Sequence, residues 1–158
     1  MAAPTAGLHF TPEVLERCRD AGSDIAYVTL HVGLGTFQPL HNEEIEKNHL
    51  HPEAYAITPE NSARMDRASR IVACGTTSVR TLESAALRGP CGETDLFIMP
   101  GFEFRSTGAL LTNFHLPRTS LLVLVCSFAG TGLVLSAYRH AVEAKYRFYS
   151  YGDCMLIL

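Results

Sequence analysis

The segment Ile71-Val72-Ala73-Cys74-Gly75-Thr76-Thr77-Ser78-Val79-Arg80 sets the reading of this chain. Its apolar start, Ile71 to Gly75, predicts a strand. Beyond the polar Thr76-Thr77-Ser78 turn, Leu82, Ala85 and Ala86 are spaced to bury one face of a helix over Val79 to Leu87. A strand that feeds a helix through small and hydroxyl residues is the repeating unit of an α/β sheet. Helix starts present unpaired N–H groups and the positive end of the dipole, so the hydroxyls either cap the helix or help it hold an anionic group. The segment is neither a GxGxxG nor a P-loop sequence.

The same alternation extends in both directions. Thr11-Pro12-Glu13 and Thr58-Pro59-Glu60 each place an N-cap residue, a first-turn proline and an acid ahead of a helical run, predicting helices over Val14 to Ala21 and Glu60 to Ser69. Ile25 to Val32, Ala54 to Thr58, Asp95 to Met99, Ala109 to Phe114 and Cys154 to Leu158 read as strands. Leu121 to Phe128 and Val134 to Tyr146 read as helices. Gly33 to Asn48 and Arg88 to Thr94 read as long loops, the first richer in histidine and acids and so the better site element. The pattern predicts an α/β fold with a mainly parallel sheet flanked by helices, organised as a single domain over residues 1–158.

Composition narrows the function. The 158 residues are 47% hydrophobic and 18% charged, within the range of one globular domain, and no apolar run reaches membrane-spanning length. The expected location is the cytoplasm, with no membrane partner. The five cysteines, Cys18, Cys74, Cys91, Cys126 and Cys154, are scattered and form no CxxC pair, so they read as free thiols. A formal charge of -3 argues against a general nucleic-acid coat. The charge is nevertheless graded: residues 1–104 hold 8 basic and 14 acidic residues, and residues 105–158 hold 5 and 2, so any RNA contact is expected on the second segment.

Several residue groups suit chemistry. Gly33-Leu34-Gly35-Thr36 permits close backbone approach to a ligand, with His31 just before it at a strand end. On an extended segment His49, His51 and Glu53 would point the same way, as a proton shuttle or a solvated pair; a metal is not expected, since no third ligand has a recognisable spacing. Asn113-Phe114-His115-Leu116-Pro117 sets an amide and an imidazole at a strand end. Tyr146-Arg147-Phe148-Tyr149-Ser150-Tyr151-Gly152-Asp153 interleaves aromatics with one base and one acid, suited either to stacking on nucleic acid or to packing.

Five blocks together resemble signatures of the S-adenosylmethionine:tRNA ribosyltransferase-isomerase family of queuosine biosynthesis. They are Ala2 to Phe10, Thr29 to Pro39, Gly75 to Arg80, Thr112 to Pro117 and Tyr146 to Asp153, in the family's order. The resemblance implies transfer of the ribosyl part of S-adenosylmethionine to an aminomethyl-deazaguanine at the tRNA anticodon wobble position. Epoxyqueuosine forms, and adenine and methionine leave. S-adenosylmethionine is then a consumed substrate, with no cofactor and no metal. The implied proton-transfer candidates are His31, His49, His51 and His115. The implied substrate-binding residues are Thr5, Gly7, His9, Gly33, Gly35, Thr36, Thr76, Thr77, Ser78, Arg80, Asn113, Arg147, Tyr151 and Asp153.

Family members carry an amino-terminal region ahead of the Ala2-Ala3-Pro4 block that contributes part of the α/β domain and an inserted β-rich domain. The fold is therefore expected to be incomplete without them, with an uncovered surface through which the chain could self-associate. The alternative expectation is a truncated, inactive module that binds S-adenosylmethionine or tRNA.

Overall fold

The computed structural model describes residues 5–33 and 39–158. Two three-stranded sheets share one helix. The first sheet has β3 (Val72–Cys74), β5 (Ala109–Asn113) and β6 (Cys154–Ile157) in that order, and the second has β1 (Thr29–Leu30), β2 (Glu53–Ala56) and β4 (Cys91–Thr94). β3 runs parallel to β5, with Val72 opposite Ala109 and Cys74 opposite Leu111, whereas β6 runs antiparallel to β5. α3 (Thr76–Arg88) leaves β3 directly and contacts β3 of one sheet and β1 and β4 of the other.

The remaining helices are α1 (Pro12–Asp20), α2 (Pro59–Asp66), α4 (Ser120–Ala129) and α5 (Thr131–Glu143). Thr11 and Thr58 cap α1 and α2 as the sequence predicts, each accepting a hydrogen bond from the backbone three residues on. Gly130, at φ +87°, lets the chain turn sharply between α4 and α5, which meet at 116°. Among the described residues no single helix is long and apolar enough to cross a membrane. The core gathers Val79 and Leu82 of α3, Leu110 of β5, Leu124 and Val125 of α4, Val134 of α5 and Ile98.

Three expectations need correction. The sheet is not mainly parallel: among the described residues β3–β5 is the one parallel pairing, and the other three are antiparallel. The segment Asp95 to Met99 forms no strand. Its Ile98 is buried in the core from irregular chain, and the strand lies earlier, at Cys91–Thr94, inside the stretch read as a loop. That strand exists because β2 supplies a ladder for it, and Gly92 at φ +151° brings its backbone against the Tyr55 ring opposite. Finally, Ile25 to Val32 contracts to Thr29–Leu30, since the backbone N–H of Tyr27 donates to Asn61 Oδ1 of α2 rather than to a strand.

Candidate functional site

β3 and β5 end side by side, and both carboxyl ends open into a cleft of about 790 Å³. In open α/β sheets this is where ligands sit. Gly75, at φ +89°, makes the turn out of β3, and its N–H donates to the Leu111 carbonyl, which fixes α3 against β5. A glycine supplies no side-chain cap, and the Ser78 and Val79 N–H groups donate to the Gly75 carbonyl, so the Thr76 and Thr77 N–H groups are left at the cleft beside the Thr76, Thr77 and Ser78 side chains. Ser78 Oγ donates back to the Cys74 carbonyl at 2.7 Å.

The opposite wall is the end of β5. Asn113 is buried, and its Nδ2 donates to His9 Nε2 (3.2 Å), to the Tyr149 carbonyl (3.3 Å) and to the Asp153 carbonyl (3.5 Å). Its Oδ1 is buried without a hydrogen-bond partner among the described residues. His115 follows two residues on. Its Nε2 lies 2.9 Å from Thr112 Oγ1, and its backbone N–H donates to the Tyr138 hydroxyl at 2.8 Å. Burial lowers the His115 pKa to about 4 and raises that of Tyr138 to about 12. His115 is thus neutral at physiological pH. His31, exposed beyond β1, lines the same cleft, as does Thr5.

Of the residues singled out from sequence, Thr5, His31, Thr76, Thr77, Ser78, Asn113 and His115 come together here, with His9 behind Asn113. Others stand elsewhere. His49 and His51 are exposed in the chain before β2 and do not line the cleft, and Glu53 is turned inward, away from them. Gly7 turns the first helical segment, with its carbonyl accepting from the Phe10 N–H. The Gly33 N–H donates to Glu53 Oε1 at 2.6 Å. Gly35 and Thr36 lie outside the described residues, as does the side chain of Tyr151.

Arg80 departs most from its expected place facing a ligand. It is only 2% exposed, with Nη1 2.6 Å from Glu53 Oε2 and Nε donating to the Leu96 carbonyl. One turn into α3, a side chain on the buried face points into the protein, so the charge is matched by β2. Arg147 and Asp153 instead clasp each other at the surface. Asp153 accepts from the Arg147 guanidinium and backbone N–H, which hold its carboxyl down at about 2. The clasp closes the turn that carries Tyr149 and Ser150 into the cleft, and the Tyr149 N–H hangs that turn on the Phe114 carbonyl.

Sequence reading passed over Thr112 and Thr119, both buried and both lining the cleft. Thr112 could have been found: it stands three residues before His115 at the same strand end. Among the described residues no three His, Cys, Asp or Glu side chains cluster in a way that could hold a metal ion. A second hollow, of about 510 Å³, lies at the amino ends of β3 and β5, but Arg70 there is already bound to the Gly108 carbonyl.

Fold and site together describe a mixed α/β protein with a cleft, lined by polar and apolar side chains, at the carboxyl ends of its two parallel strands. The model of the family described as "Queuosine biosynthesis protein" matches residues 1–157, and the chain belongs to that family. It is 70% identical to the S-adenosylmethionine:tRNA ribosyltransferase-isomerase of Solibacter usitatus, with 100% of this chain and 45% of that protein aligned. It is 54% identical to the enzyme of the same name from Thermotoga petrophila, over 100% of this chain and 50% of the relative. The crystal structure of S-adenosylmethionine tRNA ribosyltransferase from Thermotoga maritima superposes with a TM-score of 0.78 at 47% identity, covering 98% of this chain and 51% of the other. The chain spans about half the length of the relatives it matches.

Proposed function

We propose that this chain acts in the transfer and isomerisation of the ribosyl moiety of S-adenosylmethionine onto aminomethyl-deazaguanine at the tRNA wobble position. Epoxyqueuosine is the product, and adenine and methionine are released. The observation that carries this reading is the cleft itself. At about 790 Å³ it has the size of a small-molecule site, and it gathers the uncapped start of α3, Asn113, His31 and His115. The relatives' names supply the substrates; the cleft supplies somewhere for the smaller one to bind.

The chemistry requires removal of a proton beside the sulfonium, loss of adenine and attack by the amine of the modified base. His31, exposed in the cleft, suits proton transfer, and the Thr76 and Thr77 amides at the start of α3 with the Thr77 hydroxyl suit a carboxylate. Arg118, Arg139 and Lys145 are exposed in the basic second segment and suit contact with tRNA phosphates. No cofactor or metal enters this scheme, and the reaction belongs to the cytoplasm.

The test is to incubate the chain with S-adenosylmethionine and tRNA carrying the aminomethyl base and to follow adenine. Release that depends on both substrates supports the reading; no release rejects the chain as an active enzyme. The same assay separates this reading from a second, a binding module without turnover. Calorimetric binding of S-adenosylmethionine without adenine release would select it.

A further inference from the structure

We propose that His115 serves as a neutral hydrogen-bond donor, presenting Nδ1–H to the cleft, and that the Thr112 hydroxyl sets this tautomer. The ligand group it would meet is an acceptor, a ring nitrogen or an oxygen; that part deepens the reading of the cleft as the S-adenosylmethionine site and rests on it.

Thr112 supplies the constraint. The residue is 1% exposed, and among the described residues its hydroxyl has one hydrogen-bond partner, His115 Nε2 at 2.9 Å. A hydroxyl is both donor and acceptor, whereas a neutral imidazole has one nitrogen of each kind. Were Nε2 to carry the proton and donate, the Thr112 O–H would be buried with no acceptor. If Thr112 donates instead, the hydroxyl proton is satisfied and the imidazole proton must sit on Nδ1. An unsatisfied buried donor disfavours the first arrangement by about 5- to 150-fold.

Nδ1 has no partner among the described residues, is not enclosed, and belongs to a ring that lines the cleft. The backbone carrying the ring is held, because the His115 backbone N–H donates to the Tyr138 hydroxyl and Phe114 packs among Tyr138, Tyr146 and Phe148, and the Thr112 contact orients the ring upon it. Burial, which keeps the imidazole uncharged, agrees with this role. A neutral imidazole with its proton pointing at a reacting group polarises or holds that group and does not abstract from it. His115 would be the catalytic residue and Thr112 the positioning residue.

Nitrogen-15 NMR of the histidine side chains in the ligand-free chain tests this without any substrate, with the His115 signals assigned by their loss in His115→Gln. The expected result is protonated Nδ1 and bare Nε2 in wild type, a shift toward protonated Nε2 in Thr112→Val, and recovery in Thr112→Ser. Protonated Nε2 in wild type overturns the proposal, as does a tautomer indifferent to Thr112→Val. The wild-type spectrum decides the tautomer even if the valine variant fails to fold. Titration with S-adenosylmethionine then separates the two readings: an Nδ1 proton that shifts on saturation supports the donor role, saturable binding that leaves it unmoved overturns that role alone, and no binding rejects the cleft assignment while the tautomer still stands or falls by its own spectrum.

Discussion

Replacing Arg80 by methionine should be among the most damaging single changes in this fold. The substitution keeps most of the length and apolar stem but deletes the charge facing Glu53, whose side chain is 3% exposed. Glu53 would keep the Gly33 N–H yet lose the guanidinium 2.6 Å away. Breaking a buried pair from one side costs about 3–5 kcal/mol, because the remaining charge is stranded in the interior. For a chain of this size about 2–4 °C of melting temperature accompanies each kcal/mol, so the midpoint should fall by roughly 6–20 °C. The double variant Arg80→Met with Glu53→Gln removes both charges and should recover a large share of that loss. Circular dichroism melts of the four proteins in the cycle give the answer. If Arg80→Met melts within about 3 °C of wild type while binding of S-adenosylmethionine is lost, the internal pairing is not what holds Arg80, and it is a ligand residue after all.

Other outcomes follow from the same geometry. Because the His115 pKa is lowered to about 4, the unfolded chain binds a proton that the native chain refuses between that value and 6.5. Stability should therefore rise with pH across this window and fall on acidification by about 3 kcal/mol; urea titrations at both ends should show a smaller change for His115→Gln. Gly152→Ala should destabilise the chain, since a Cβ there would collide with the backbone of Arg147 and Phe148; a melting temperature equal to wild type would contradict the turn. Thr77→Ala should weaken S-adenosylmethionine binding with the fold intact, and a lowered melting temperature with unchanged affinity would reduce Thr77 to a structural role. Self-association through exposed apolar side chains such as Leu133 and Val142 of α5 should appear in sedimentation as a concentration-dependent mass; a monomer throughout would reject it.

What could be read from sequence follows the range of the forces involved. The starts of α1 and α2 were legible because a threonine, a proline and an acid within three residues settle the cap locally. The strand-then-helix order around Gly75 was legible from the apolar pattern, but the turn was read too late: Gly75 at φ +89° makes it, and the Thr76-Thr77-Ser78 stretch read as the turn already belongs to α3. β4 was not legible, because Cys91–Thr94 is a strand only by virtue of β2, and the apolar Leu96, Phe97 and Ile98 next to it carry a stronger strand signal without finding a ladder. The partial site shows the same division. Asn113 and His115 were visible as a polar cluster at one strand end, and the residues before Arg80, read as a helix cap or an anion site, line the same cleft. That Arg80 itself turns inward depended on Glu53, 27 residues away in a different sheet, and no local pattern carries that information. His49 and His51 share a face with Glu53 in an extended chain, but Glu53 alone is drawn inside, so the alternation predicted an alignment that the fold does not use.

Whether the cleft at the carboxyl ends of β3 and β5 takes S-adenosylmethionine is tested most directly by titrating the isotope-labelled chain with that compound and following it by NMR. Saturable shifts should concentrate at Thr76, Thr77, Ser78, Asn113 and His115, with little change around Arg70 and Thr107 at the opposite ends of the strands. Shifts confined to that opposite hollow, or none at millimolar ligand, would contradict the assignment.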